Sequence, residues 1–143
     1  MNTVFRLLYW LEKLLALVGA AVCVGVPLLF IPGQQPLYPL PGLYFLEIVW
    51  LGLVALVSLL VDHPSTSWWT AVPHGAAGVL LAFVVLGAWT IGFFLAPACV
   101  AFLLAGVSAD RRRGRPMIRH LVIFLIAAFA QAGLMAIMVV INF

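Results

Sequence analysis

The sequence predicts an all-α fold, a polytopic membrane helical bundle of five transmembrane helices forming a single membrane domain over residues 1–143. Three observations predict it: a composition that water solvates poorly, a series of charge-poor apolar runs long enough to span a bilayer, and one run too long to span it once. Of 143 residues, 66% are hydrophobic and 8% are charged, with a mean hydropathy of +1.26. A soluble domain carries about 25% charged residues; with so few, the excess apolar surface is covered by lipid.

The first run, Leu14 to Ile31, closes at Pro32-Gly33 and gives a helix over 7–31. It is longer than the apolar core of a cleavable signal peptide, and Glu12 and Lys13 directly precede it, so it reads as a retained helix. The second helix, 43–61, is framed by Pro41-Gly42 and by Asp62-His63-Pro64, and the last, 117–141, opens after Arg115-Pro116. Such pairs break helices because proline lacks the amide donor and glycine is conformationally permissive. The connection from Pro32 to Gly42 holds four of the nine prolines and reads as stiff and extended.

The run from Gly75 to Val107 is 33 residues without a charge. As one helix it would measure about 50 Å, against a hydrocarbon core about 30 Å thick. Two helices, 74–91 and 94–108, joined by a turn at Thr90-Ile91-Gly92, fit better; Pro97 then falls in the first turn of the second, where its missing N–H costs nothing. The alternative is four helices with one long third helix. Charge placement separates the two counts. Five helices put all seven Lys and Arg residues on one side: Arg6 and Lys13 before the first helix, then Arg111, Arg112, Arg113, Arg115 and Arg119. Four helices would split them and leave Trp89 in mid-bilayer. The positive-inside rule therefore predicts five spans, with a cytoplasmic N-terminus and the C-terminus outside, in a cell (cytoplasmic) membrane. The five arginines of the cluster read as topology anchors on lipid headgroups, and nucleic acid is not an expected partner.

Small residues at spacing four suggest where backbones approach: Ala21 and Gly25, Gly78 and Ala82, Ala101 and Ala105, and Ala128, Ala132 and Ala136 beside Gly133. Cys23 and Cys99 lie inside apolar runs and read as small packing residues, not as a disulfide.

Few residues carry chemistry. Glu47 is the acid inside a charge-poor run; it either relays protons or binds a cation, or snorkels to the interface one turn away. Gln131, near the middle of the last helix, needs a polar partner and reads as interhelical glue or as lining of a polar path. Asp62, His63, His74 and His120 gather on the cytoplasmic face, but their gaps match no metal-ligand spacing, so no metal site is expected there. Asp62 and Asp110 are expected to pair with the arginine cluster. Haem would need histidines facing one another within the spans, and no cofactor is expected. There is no nucleophile with a nearby base, no paired carboxylates and no phosphate loop, so the chain reads as non-enzymatic. The expected function is an accessory, assembly or interaction subunit working through helix surfaces, with a membrane-protein partner or further copies of itself within the bilayer. The alternative is a small oligomeric transporter or channel, with Glu47 and Gln131 lining a path.

Overall fold

A computed structural model describes residues 3–33, 42–61 and 68–142. The described residues form five α-helices: α1 (Thr3–Phe30), α2 (Gly42–Leu60), α3 (Val72–Leu86), α4 (Gly92–Arg113) and α5 (Met117–Asn142). Short 3-10 turns at Ile31–Gly33 and Trp68–Ala71 follow α1 and precede α3. All five, with Trp68–Leu86 counted as the third, are long and apolar enough to cross a membrane. The helices run alternately up and down, which brings Arg6, Lys13 and the arginine cluster to one end of the bundle, the basic end.

The long apolar run does fold back on itself, slightly earlier than the sequence suggests. α3 stops at Leu86, and residues 87–91 make the turn. Gly87 donates to the Phe83 carbonyl and Gly92 to the Gly87 carbonyl, each at 2.8 Å. The two glycines lie against each other; a Cβ on Gly92 would sit 2.6 Å from the Gly87 oxygen, so only a residue without a side chain fits. Trp89, at the tip, is 99% exposed. Because α4 begins at Gly92, Pro97 falls in its second turn and not its first.

The other departure is at the end of α4. The sequence reading ended this helix at 108, but it continues through Asp110 to Arg113. Gly114 stops it in the left-handed conformation, φ 63°. The Gly114 N–H returns to the Arg111 carbonyl at 3.3 Å and the Arg115 N–H to the Asp110 carbonyl at 3.0 Å. This paired closure satisfies carbonyls that a helix end leaves open. The arginines in the last turn also suit its negative dipole end. The extension places Asp110 inside the bundle rather than in a surface loop.

α1 packs chiefly on α4 and α2, and α3 on α4 and α5. Glycines set three of these approaches. The Phe102 ring lies on Gly19, the Cys23 side chain lies on Gly52, and the Phe124 carbonyl of α5 lies on Gly78. Of the small-residue stripes, Gly78–Ala82 and Ala101–Ala105 are in the interior, whereas Ala21 is exposed and Gly25 has open space around it. The packed face of α1 is instead Ala16, Gly19, Ala20 and Cys23. Ala128 and Ala132 are half-buried and Ala136 is exposed. Cys23 and Cys99 are free and buried, as packing residues. α5 stands apart: it lies along α3, touches α4 little, and among its described side chains only His120, Phe124 and Gln131 are buried.

Candidate functional site at the basic end of the bundle

Two acids are buried at the basic end, Glu12 at 0% and Asp110 at 1% exposure. Each is held by a different kind of partner.

Glu12 belongs to α1, opposite the last turn of α4. Arg112 Nε donates to Glu12 Oε2 at 3.0 Å, while Nη2 stands 3.0 Å from Oε2 and 3.4 Å from Oε1, a two-pronged grip. Arg113 Nη2 and Lys13 Nζ each come within 3.9 Å of Oε1. Lys13 Nζ also donates to the Leu59 carbonyl at the end of α2. The Tyr9 ring lies under both cations, 5.2 Å from the Lys13 nitrogen and 5.3 Å from the Arg112 guanidinium carbon. The network ties α1, α2 and α4 together. Two of the five residues read as headgroup anchors, Arg112 and Arg113, therefore turn inward; Arg111 and Arg119 remain exposed. Desolvation, then the nearby Arg113, pulls the Arg115 guanidinium below the ordinary arginine range; its Nε is buried without a hydrogen-bond partner.

Asp110 has two histidines as its close partners, while its charge also reaches Arg115 of the arginine cluster. His120 Nδ1 stands 2.8 Å and His74 Nε2 3.4 Å from the same oxygen, Oδ2. The two imidazoles lie side by side, ring centroids 5.0 Å apart and planes 33° from parallel. All three side chains are buried, and they come from α3, α4 and α5. His74 Nδ1 has no hydrogen-bond partner. The ring is seated on Gly106: a Cβ there would come within 2.6 Å of Cε1, 2.9 Å of Nδ1 and 3.0 Å of Nε2. Any other residue at 106 would push the imidazole away from the carboxylate.

The expected cluster of Asp62, His63, His74 and His120 is thus assembled in part. His74 and His120 meet, while Asp62 and His63 lie outside the described residues. The carboxylate between them, Asp110, was assigned elsewhere. A signal for it exists in the chain: Asp110 and His120 sit five residues to either side of Arg115, so a short turn between α4 and α5 sets them face to face. Glu12 was passed over because it sits at the edge of the first apolar run, where a solvated charge is the ordinary reading.

The second expected pair, Glu47 and Gln131, lies away from the basic end. Glu47 is half-buried on α2, and the buried Gln131 amide of α5 faces its carboxyl. The pair is close without closing fully, since Gln131 Nε2 reaches no partner at hydrogen-bonding distance. Among the described residues no group joins this pair to the histidine cluster.

Comparison with protein-family models, with curated proteins and with solved structures gave no match to this chain.

Proposed function

We propose that this chain is a multi-pass protein of the cytoplasmic membrane, with its N-terminus on the cytoplasmic side, that serves as an accessory or assembly subunit. It acts without chemistry, by presenting a helix surface to another helical membrane protein. The observation that carries this reading is the position of α5. It adheres to the bundle chiefly along α3, and its outer face carries Ala130, Gly133 and Ala136, all exposed, with nothing within 4 Å of where a Gly133 side chain would begin. Small residues on a membrane helix let a second backbone come close, which is how helices associate in lipid, where apolarity alone gives no drive. The orientation rests on the seven basic residues at one end.

A photo-reactive side chain at position 133, illuminated in native membranes, tests the reading. The expected product is a crosslink to one membrane protein, lost when Ala130 and Ala136 are changed to Leu. Crosslinks to lipid alone would overturn it, and a crosslink to a second copy would make the partner the chain itself.

A second reading, a small oligomeric transporter or channel, is favoured by the meeting of Glu47 with Gln131. Charged and polar groups inside a membrane are costly and mark ion paths when they line one. Flux through reconstituted vesicles that falls in Glu47→Gln would select this reading; flux equal to that of empty vesicles would remove it.

A further inference from the structure

We infer that His74, Asp110 and His120 bind a divalent first-row transition-metal ion of the zinc class. The donor atoms carry the inference first. One ligand atom from each of the three residues lies within 4.8 Å of the other two. An ion holding imidazole nitrogens and a carboxylate oxygen at about 2.0–2.2 Å in tetrahedral geometry sets them about 3.3 Å apart. The observed 2.8 Å and 3.4 Å separations from Asp110 Oδ2 bracket that value. The two imidazole nitrogens lie within 4.8 Å of each other, and rotation of the side chains would have to close that separation around an ion.

The donor types carry it further. Two imidazoles and one carboxylate suit Zn2+, Co2+ or Fe2+, whereas Mg2+ and Ca2+ take oxygen ligands. Three protein ligands leave the fourth position of a tetrahedral ion for water or a small anion.

The hydrogen bonding supplies an independent argument. Two imidazole nitrogens converge on one carboxylate oxygen, while His74 Nδ1 stays buried and unpartnered. A neutral imidazole offers one N–H and one lone pair. If His74 donates from Nε2, its Nδ1 lone pair meets no donor; in the other tautomer the Nε2 lone pair faces a carboxylate. His74 Nδ1 lacks a partner in either tautomer and with Nε2 on an ion alike, so what favours an ion is the convergence of both imidazoles on one carboxylate oxygen. A cation between the three groups takes a lone pair from each imidazole and the charge of the carboxylate at once. Each imidazole stays neutral, its proton carried on the nitrogen away from the ion. Gly106 provides the room that lets the His74 ring reach this position.

The test uses the full chain, purified in mild detergent with a histidine-free affinity tag and titrated with Co2+. The expected result is one equivalent of bound Co2+ with the visible absorption of a four- or five-coordinate site, displaced by Zn2+ and not by Mg2+. His74→Gln and His120→Gln should each weaken binding by about 100-fold or more, since loss of a ligand costs at least as much as loss of a supporting group around it. Cys23→Ser/Cys99→Ser should bind as the parent does, because both thiols lie outside the cluster. A parent protein that takes up no stoichiometric Co2+, or one whose affinity is unchanged in both histidine variants, overturns the inference, as does loss of binding with the cysteines. X-ray absorption on the Co2+-loaded parent does not depend on any variant folding. Two imidazoles and an oxygen donor are expected; a shell without imidazole overturns the site.

Discussion

Glu12 and Asp110 are both sealed from solvent at the same end of the same bundle, yet they are held in different ways. Glu12 faces guanidinium and ammonium groups, which offer hydrogen-bond donors and no acceptor. Asp110 faces two imidazoles, which can be neutral or charged, can exchange tautomers and can ligate a metal. The Glu12 network has one state and serves as a clamp across α1, α2 and α4. The Asp110 cluster has several states available and joins α3, α4 and α5. Burial of a carboxylate at a helix end therefore does not mark function by itself; the nature of its partners does.

The largest expected effect follows from the permanence of the clamp. Glu12→Gln removes the counter-charge from Arg112 while leaving the guanidinium mostly buried. Breaking one side of a buried pair costs about 3–5 kcal/mol, and Arg112, whose side chain is 18% exposed, can turn partly to solvent, so about 3 kcal/mol is expected. Unfolding of the detergent-solubilised protein by denaturant measures it. Replacing Glu12, Lys13, Arg112 and Arg113 together by apolar residues of similar size should restore most of that loss, because no charge of the network is then left stranded.

Next in size is Gly106→Ala. Its methyl group would sit 2.6 Å from the His74 ring, and overpacking of this kind costs about 1–3 kcal/mol. The comparison is sharpened by what accompanies the loss: the His74–Asp110 contact should open while the Glu12 clamp remains intact. Chemical shifts of 15N-labelled histidine rings would report the first, and a change confined to them is the expected outcome.

Asp110→Asn should cost less, about 1 kcal/mol in the metal-free protein, because an amide oxygen in the place of Oδ2 can accept from both imidazoles. The comparison makes the difference between Asp110→Asn and Glu12→Gln the quantity to measure. Equal losses would mean that the histidines carry charge as the arginines do and that the two acids are held alike.

How much of this was legible in the sequence depends on which interactions set each feature. The number of helices and the fold-back near Trp89 follow from run length and from Gly87 and Gly92, which are local signals. The end of α4 at Arg113 was misplaced because charge was read as a stop, although arginines favour a helix C-terminus and Gly114 supplies the real one. His74 and His120 could be placed at one end by counting spans, but their meeting depends on which faces of α3 and α5 turn inward, and apolar residues all round those helices give no such stripe. Gly106 had no sequence signal apart from its neighbours Ala101 and Ala105; its role appears only with the ring above it. Glu47 and Gln131 stand out in the sequence by polarity alone; that they face each other depends on how α2 and α5 are turned.

Glu47→Gln is the smallest expected change and the one that can break the ranking of the acids. Glu47 is only half-buried, and its neighbour is a neutral amide rather than a cation or a ligand set. A glutamine there keeps the size and polarity that face Gln131 and strands no charge, so stability should change by about 0.5 kcal/mol or less. Proton leak from vesicles carrying either form should match that of empty vesicles. A leak present in the parent and absent in Glu47→Gln would make the half-buried acid the working one. The two sealed acids at the basic end would then both be read as parts of the frame that holds α2 and α5 around it.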